Sequence, residues 1–148
     1  MYKTILVPLD GSKRAESILP HVTDLAGKYQ STVVLLIVEE PPLLIGYDEV
    51  IQVERYIRER EQKRSDAQSY LDSLAQALRG KGISTETRVG QGPVVKTIIN
   101  TAGQITADLV AMSSHGLSGL ERAFYGSTAA GVLQNIDRPL LLIRSRDS

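Results

Sequence analysis

The stretch Thr32-Val33-Val34-Leu35-Leu36-Ile37-Val38 is apolar at almost every position. Side chains of a strand alternate between the two faces of a sheet, so an unbroken apolar run indicates a strand that is buried on both faces. The segment Thr4–Pro8 (Thr-Ile-Leu-Val-Pro) has the same character and ends at a proline. Strands of this kind are typical of parallel sheets that helices cover on both sides.

Helical and extended patterns alternate along the whole chain. Between the first two strands, apolar residues from Ala15 to Tyr29 recur at the spacing of one amphipathic helix. The remaining segments are predicted in this order: loop Glu39–Tyr47, helix Glu49–Arg79, strand Ile83–Val89, helix Val94–Ile105, strand Asp108–Met112, loop Ser113–Tyr125, helix Ser127–Ile136 and strand Leu140–Ile143. This alternation predicts an α/β fold with a parallel sheet and right-handed crossovers. Ligands of such sheets bind outside the carboxyl ends of the strands, here Pro8–Asp10, Val38–Glu39 and Met112–Ser113.

Length and composition limit the classes of protein to consider. The 148 residues suit one compact domain, and we predict a single domain over residues 1–148. The 17 basic and 17 acidic residues cancel, which gives no indication of a nucleic-acid partner. The absence of cysteine excludes disulfides and thiolate metal sites. Because neither a signal peptide nor an apolar run of membrane-spanning length is seen, we expect a cytoplasmic protein without a membrane partner.

The segment Ser113–Thr128 carries glycines, hydroxyl side chains and one histidine between a buried strand and a helix. Glycine lets backbone amides approach a phosphate closely, and the N-terminus of a helix favours an anion. Ser127 and Thr128 stand where that helix begins. An ordinary loop in which Ser127 caps the helix explains the same residues, so this chemistry alone leaves both interpretations open.

Two motifs resemble those of the universal stress protein family. The first is Ile5-Leu6-Val7-Pro8-Leu9-Asp10-Gly11-Ser12, and the second joins Ser114-His115-Gly116 to Gly126-Ser127. The ATP-binding branch of that family carries Gly-x-x-Gly-x9-Gly-(Ser/Thr), in which Ser113 replaces the first glycine here. Leu117 stands where many members have a basic residue. The resemblance extends over the whole chain, to the ending Arg138–Ile143.

This resemblance implies a fold, a ligand and a set of contacts. The fold is a single open, doubly wound five-stranded parallel sheet in the order 3-2-1-4-5, with helices on both faces, like that of the adenine-nucleotide alpha-hydrolases. The ligand is ATP, with a Mg²⁺ or Mn²⁺ ion held mainly by phosphates and water. The implied binding residues are Pro8, Leu9 and Asp10 around adenine and ribose, Val38 on the adenine, Met112 and Ser113 beside the ribose, Ser114, His115, Gly116, Leu117, Ser118 and Gly119 around the phosphates, and Gly126, Ser127, Thr128 and Ala129 at the helix terminus.

Other nucleotide and catalytic motifs fit the chain less well. Gly11-Ser12-Lys13 has the wrong order for a Walker A motif, and Gly90-x-Gly92 lacks the third glycine of a dinucleotide fingerprint. No nucleophile elbow surrounds Ser114 and His115. We therefore predict no catalytic residue and no protein metal site, and favour a regulator or sensor that hydrolyses ATP slowly or not at all. The alternatives are a slow ATPase or adenylyl-handling enzyme, and a dimeric interaction module without nucleotide.

The last predicted strand also indicates how copies of the chain associate. Leu140–Ile143 is apolar on both faces and would lie at an edge of the sheet. An exposed apolar edge invites pairing with another strand, and universal stress proteins usually pair through this strand. We therefore predict a homodimer through Leu140–Ile143.

Overall fold

The structure, a computed structural model, describes residues 1–40, 50–114 and 126–144, with side chains described from residue 53 in the second range. In chain order, its elements are strand β1 (Thr4–Leu9), 3-10 helix η1 (Ala15–Ile18), helix α1 (Leu19–Tyr29), strand β2 (Thr32–Glu39), helix α2 (Val50–Gly80), strand β3 (Ser84–Gln91), helix α3 (Val94–Gln104), strand β4 (Leu109–Ser113), helix α4 (Ser127–Asn135) and strand β5 (Leu140–Ile143). Among the described residues, no helix is long and apolar enough to cross a membrane.

The strands form one five-stranded parallel sheet in the order β3-β2-β1-β4-β5. This confirms the predicted fold. β1 is central, with Leu6 beside Val34 of β2 on one side and beside Val110 of β4 on the other. The chain winds outward from β1 to β3 and then returns to continue through β4 to β5. The reversal puts a topological switch point at the carboxyl end of β1, where α/β sheets bind ligands.

Both faces of the sheet are covered, because the strand residues alternate between two buried clusters. Ile5, Val7 and Leu35 belong to the cluster that α1 and α2 complete. Leu6 and Val34 belong to the cluster that α3 and α4 complete. The alternation therefore follows the two-residue period of a strand and explains why the strand sequences are apolar throughout.

The predicted first helix is in fact two elements. η1 ends at Ile18 and α1 begins at Leu19, with Pro20 in its first turn. Proline has no N–H to donate, and its ring conflicts with a regular α-helical turn before it. The prediction of one continuous helix from Ala15 to Tyr29 was therefore wrong at this junction.

Helix α2 has a buried half and an exposed half. Ala67, Leu71 and Leu78 pack against the sheet. Towards the N-terminus of α2, Val53 and Ile57 are 44% and 48% exposed. Only the C-terminal part of α2 therefore contributes to the described core.

Candidate functional site

A cavity of about 260 Å³ opens at the carboxyl ends of β1, β2 and β4. Every predicted binding residue that the structure describes lines it: Pro8, Leu9, Asp10, Val38, Met112, Ser113, Ser114, Gly126, Ser127, Thr128 and Ala129. The other predicted contacts, His115, Gly116, Leu117, Ser118 and Gly119, lie outside the described residues. Residues far apart in the chain are thus brought to one cavity at the switch point of the sheet.

The turn after β1 is held by its own side chains. Oδ1 of Asp10 accepts hydrogen bonds from the Ser12 amide at 2.9 Å and from the Ser12 hydroxyl at 2.6 Å. Oγ of Ser12 in turn accepts from the Ala15 amide at 3.1 Å, at the start of η1. Gly11 has a φ of +86°, a conformation that glycine adopts without steric cost. This arrangement, an Asx-turn, holds Asp10 at the edge of the cavity.

One wall of the cavity carries hydroxyl groups and is formed by the end of β4 and the start of α4. Ser113 and Ser114 are buried there, while Ser127 and Thr128 lie in the first turn of α4. We call these four residues the hydroxyl wall. The backbone joins its two parts, because the Gly126 amide donates to the Ser114 carbonyl at 2.6 Å.

Gly126, and not Ser127, is the N-cap of α4, and no side chain among the described residues caps it. The alternative in which Ser127 caps this helix is therefore wrong. The first amides of a helix have no partner within the helix, and together with the helix dipole they favour an anion. The start of α4 thus directs hydrogen-bond donors at the cavity.

The opposite wall is apolar and is formed by β2 and α3. It consists of Leu36, Val38, Val94 and Ile98, which we call the apolar wall. The start of α3 is held by two contacts to the end of β2: the Gly92 amide donates to the Glu39 carbonyl at 3.1 Å, and the Val94 amide donates to Oε1 of Glu40 at 3.2 Å. These contacts hold α3 over the cavity.

Four lining residues were not predicted: Ala15, Leu36, Val94 and Ile98. Two signals in the sequence could have identified some of them. Leu36 precedes Val38 by two residues in β2 and therefore faces the same side of the sheet. Val94 and Ile98 are four residues apart in the first turns of α3, so they lie on one face of that helix.

The charges near the cavity are few among the described residues. Asp10 is the only acidic or basic side chain in the described lining. Nearby, burial and the hydrogen bond to Glu16 raise the pKa of the Tyr70 phenol, and the charge of Asp10 adds to the effect.

No group of three potential metal ligands occurs in the described ranges. From this part of the chain, a divalent ion could receive one carboxylate, so a nucleotide and water would supply the rest of its shell.

Comparison with known proteins identifies the family. Residues 1–144 match the universal stress protein family, and the chain belongs to it. It is similar to the universal stress protein Sll1654 of Synechocystis sp., with 32% identity over 97% of this chain and 86% of that protein. It is also similar to the universal stress protein MJ0577 of Methanocaldococcus jannaschii, with 26% identity over 100% of this chain and 98% of that protein.

Solved structures extend the likeness to three dimensions. The structure of MJ0577 has a TM-score of 0.85 at 27% identity and covers 100% of this chain and 99% of that one. A universal stress protein in complex with cAMP has a TM-score of 0.71 at 18% identity, with 98% of each chain covered. At that identity the likeness concerns the fold alone.

Proposed function

We propose that this universal stress protein binds ATP in the cavity at the carboxyl ends of β1, β2 and β4. The observation that carries the proposal is the chemical difference between the two walls of that cavity. A nucleotide has an apolar base at one end and anionic phosphates at the other. The apolar wall suits the base, and the hydroxyl wall with the start of α4 suits the phosphates.

Each wall has a proposed role. The adenine packs against Val38 and Val94, and Asp10 accepts a hydrogen bond from the ribose. The phosphates receive hydrogen bonds from the first amides of α4 and from the hydroxyls of Ser127 and Thr128. A Mg²⁺ or Mn²⁺ ion neutralises the phosphates, with oxygens of the nucleotide and of water as most of its ligands. A universal stress protein of the same fold is known in complex with cAMP, so this fold is able to hold an adenine nucleotide.

We propose further that the protein holds ATP as a regulator or sensor and hydrolyses it slowly or not at all. Rapid phosphoryl transfer needs a positioned base or water and cationic groups on the transferred phosphate. In the described lining, Asp10 is the one charged side chain, and its Oδ1 is engaged in the turn with Ser12. This chemistry favours a regulator or sensor that holds ATP over an enzyme that turns it over.

The nucleotide that accompanies the purified protein tests this function. The protein is denatured after purification, and the released nucleotide is identified by chromatography. Bound ATP that stays intact over hours with added Mg²⁺ supports a regulator, whereas conversion to ADP or AMP supports the enzyme alternative. If no nucleotide is released and calorimetry detects no binding of ATP, ADP or AMP, the nucleotide proposal fails. GTP serves as the control for recognition of the base.

We also propose a homodimer through β5. This strand lies at an edge of the sheet, and all four of its residues are half-buried. Leu140 and Leu142 pack towards α3 and α4, while Leu141 and Ile143 pack towards the other face. A second copy would pair with the open edge and cover the remaining apolar surface. Light scattering is expected to give the mass of a dimer, and a monomeric mass would refute the pairing. In the variant Leu141→Lys we expect a monomer that still binds nucleotide.

A further inference from the structure

The short helix η1 contacts both the cavity and helix α2. Ala15 lines the cavity, and its amide is bonded to Ser12 in the turn that carries Asp10. The Ser17 hydroxyl lies 3.5 Å from the Ser113 hydroxyl in the hydroxyl wall. Between them, Glu16 points away to α2, where Oε2 accepts a hydrogen bond from the Tyr70 hydroxyl at 2.6 Å.

The Glu16–Tyr70 hydrogen bond is a strong one for this part of the fold. A hydrogen bond to a charged acceptor is shorter and stronger than one between neutral groups. Burial of the phenol and the nearby carboxylate raise its pKa, so the hydroxyl keeps the proton that it donates. The side chain of Glu16 is 18% exposed, and Lys13, which lies 3.6 Å from Oε1, is 94% exposed. Screening by solvent makes the Lys13 contact the weaker of the two.

The helix η1 is too short to be stable without contacts to other elements. η1 has only four residues. The Glu16 amide donates to the Ser12 carbonyl at 3.3 Å, and the amide and hydroxyl of Ser17 donate to the Arg14 carbonyl at 3.1 and 2.6 Å. So short a helix is not stable by itself and depends on tertiary contacts. Tyr70 supplies one from the buried half of α2, whose neighbour Leu71 is fully buried.

We propose that Glu16 and Tyr70 are a positioning pair that holds η1, and with it Asp10 and Ser113, in the geometry that binds a nucleotide. This proposal rests on the proposed function, because the consequence of the contact is a higher affinity for ATP. Neither residue lines the cavity. Their effect on binding therefore passes through the turn after β1 and through Ser17.

The test uses four variants of the full chain. Tyr70→Phe and Glu16→Ala each remove the hydrogen bond, whereas Glu16→Gln keeps an acceptor oxygen for the phenol. Tyr29→Phe is the matched control, since Tyr29 packs edge-on against Tyr2 and lies outside the cavity lining. Two quantities are measured: the dissociation constant for ATP by calorimetry, and amide hydrogen exchange of Ala15, Glu16 and Ser17 without nucleotide.

Tyr70→Phe and Glu16→Ala are expected to weaken ATP binding about tenfold and to speed exchange in η1 by a similar factor. Glu16→Gln keeps the bond with a neutral and therefore weaker acceptor, so it should fall between the wild type and Glu16→Ala in both measurements. Tyr29→Phe should stay near the wild type in both. The positioning pair is overturned if amide exchange in η1 is the same in Tyr70→Phe as in the wild type. It is also overturned if the wild type binds ATP and Tyr70→Phe binds it with the same affinity. If the wild type binds no nucleotide, the proposed function fails, and the exchange rates still decide whether the pair holds η1.

Discussion

The two walls of the cavity differ in how much of the fold depends on them. Ile98 and Leu36 of the apolar wall are 1% exposed and belong to the core between the sheet and helices α3 and α4. Ser127 of the hydroxyl wall is exposed and caps nothing in the described structure. The apolar wall therefore serves folding as well as binding, whereas the side chain of Ser127 is available for binding alone.

The variant Ile98→Ala tests the contribution of the apolar wall to stability, and its expected effect is the largest. This residue is 1% exposed, and truncating its side chain enlarges the empty space beneath α3, so we expect a loss of about 2–5 kcal/mol in the free energy of unfolding. The control is Ile57→Ala in the exposed half of α2, where 48% of the residue is exposed and the expected change is within about 0.5 kcal/mol. Urea denaturation gives both values. Equal losses in the two variants would mean that the apolar wall is no more part of the core than the surface of α2.

At the hydroxyl wall, Ser127→Glu is expected to act on binding and stability in opposite directions. A carboxylate at this position repels the phosphates, and we expect ATP affinity to fall about a hundredfold. The same charge interacts favourably with the helix dipole and should stabilise the protein by about 0.3–1 kcal/mol. Ser65→Glu, on the exposed surface of α2, is the matched control for the added charge. Calorimetry and thermal unfolding measure the two effects. Loss of stability together with affinity would contradict the separation of binding from folding at α4.

The residues of the hydroxyl wall were predicted from the sequence, whereas Val38 was the one residue of the apolar wall that was predicted. Ser113, Ser127 and Thr128 belong to a motif with an uncommon combination of glycines and hydroxyls. Leu36 shares a face with Val38, and Ile98 shares one with Val94, but the sequence does not show that these faces line a cavity. An apolar side chain has the same pattern whether it faces a cavity or another side chain. Only the packing of α3 over β2 shows that Leu36 and Ile98 line the cavity.

The fold was more predictable than the site, for a similar reason. The strand sequence Thr32–Val38 has no polar face, which required helices on both sides of a parallel sheet, and the structure confirms this. The break between η1 and α1 was missed because apolar residues continue at helical spacing across Pro20. The hydrogen bond from Tyr70 to Glu16 joins elements that are 54 residues apart, and no local pattern indicates it.

Ligands with different numbers of phosphates distinguish the walls further. Val94→Asn makes the base end of the cavity polar, and we expect affinity to fall about tenfold for AMP and ATP alike. Ser127→Glu should instead penalise ATP more than AMP, because repulsion grows with the charge of the ligand. Val53→Asn is the matched control, since Val53 lies on the exposed half of α2 and is 44% exposed. A Val94→Asn effect that increases with phosphate number would reverse the proposed orientation of the nucleotide.

The smallest expected effect comes from one hydroxyl, in Thr128→Val. Valine keeps the shape of threonine and removes one donor from the first turn of α4, so ATP affinity should fall about fivefold. Adenosine, which has no phosphate, should bind equally to both proteins. Thr23→Val in α1 makes the same change at a half-buried position outside the cavity lining and should leave both affinities unchanged. Calorimetry with the two ligands separates the outcomes. A loss for adenosine as large as for ATP would mean that Thr128 contacts the nucleoside, and the phosphates would then lie elsewhere than at the start of α4.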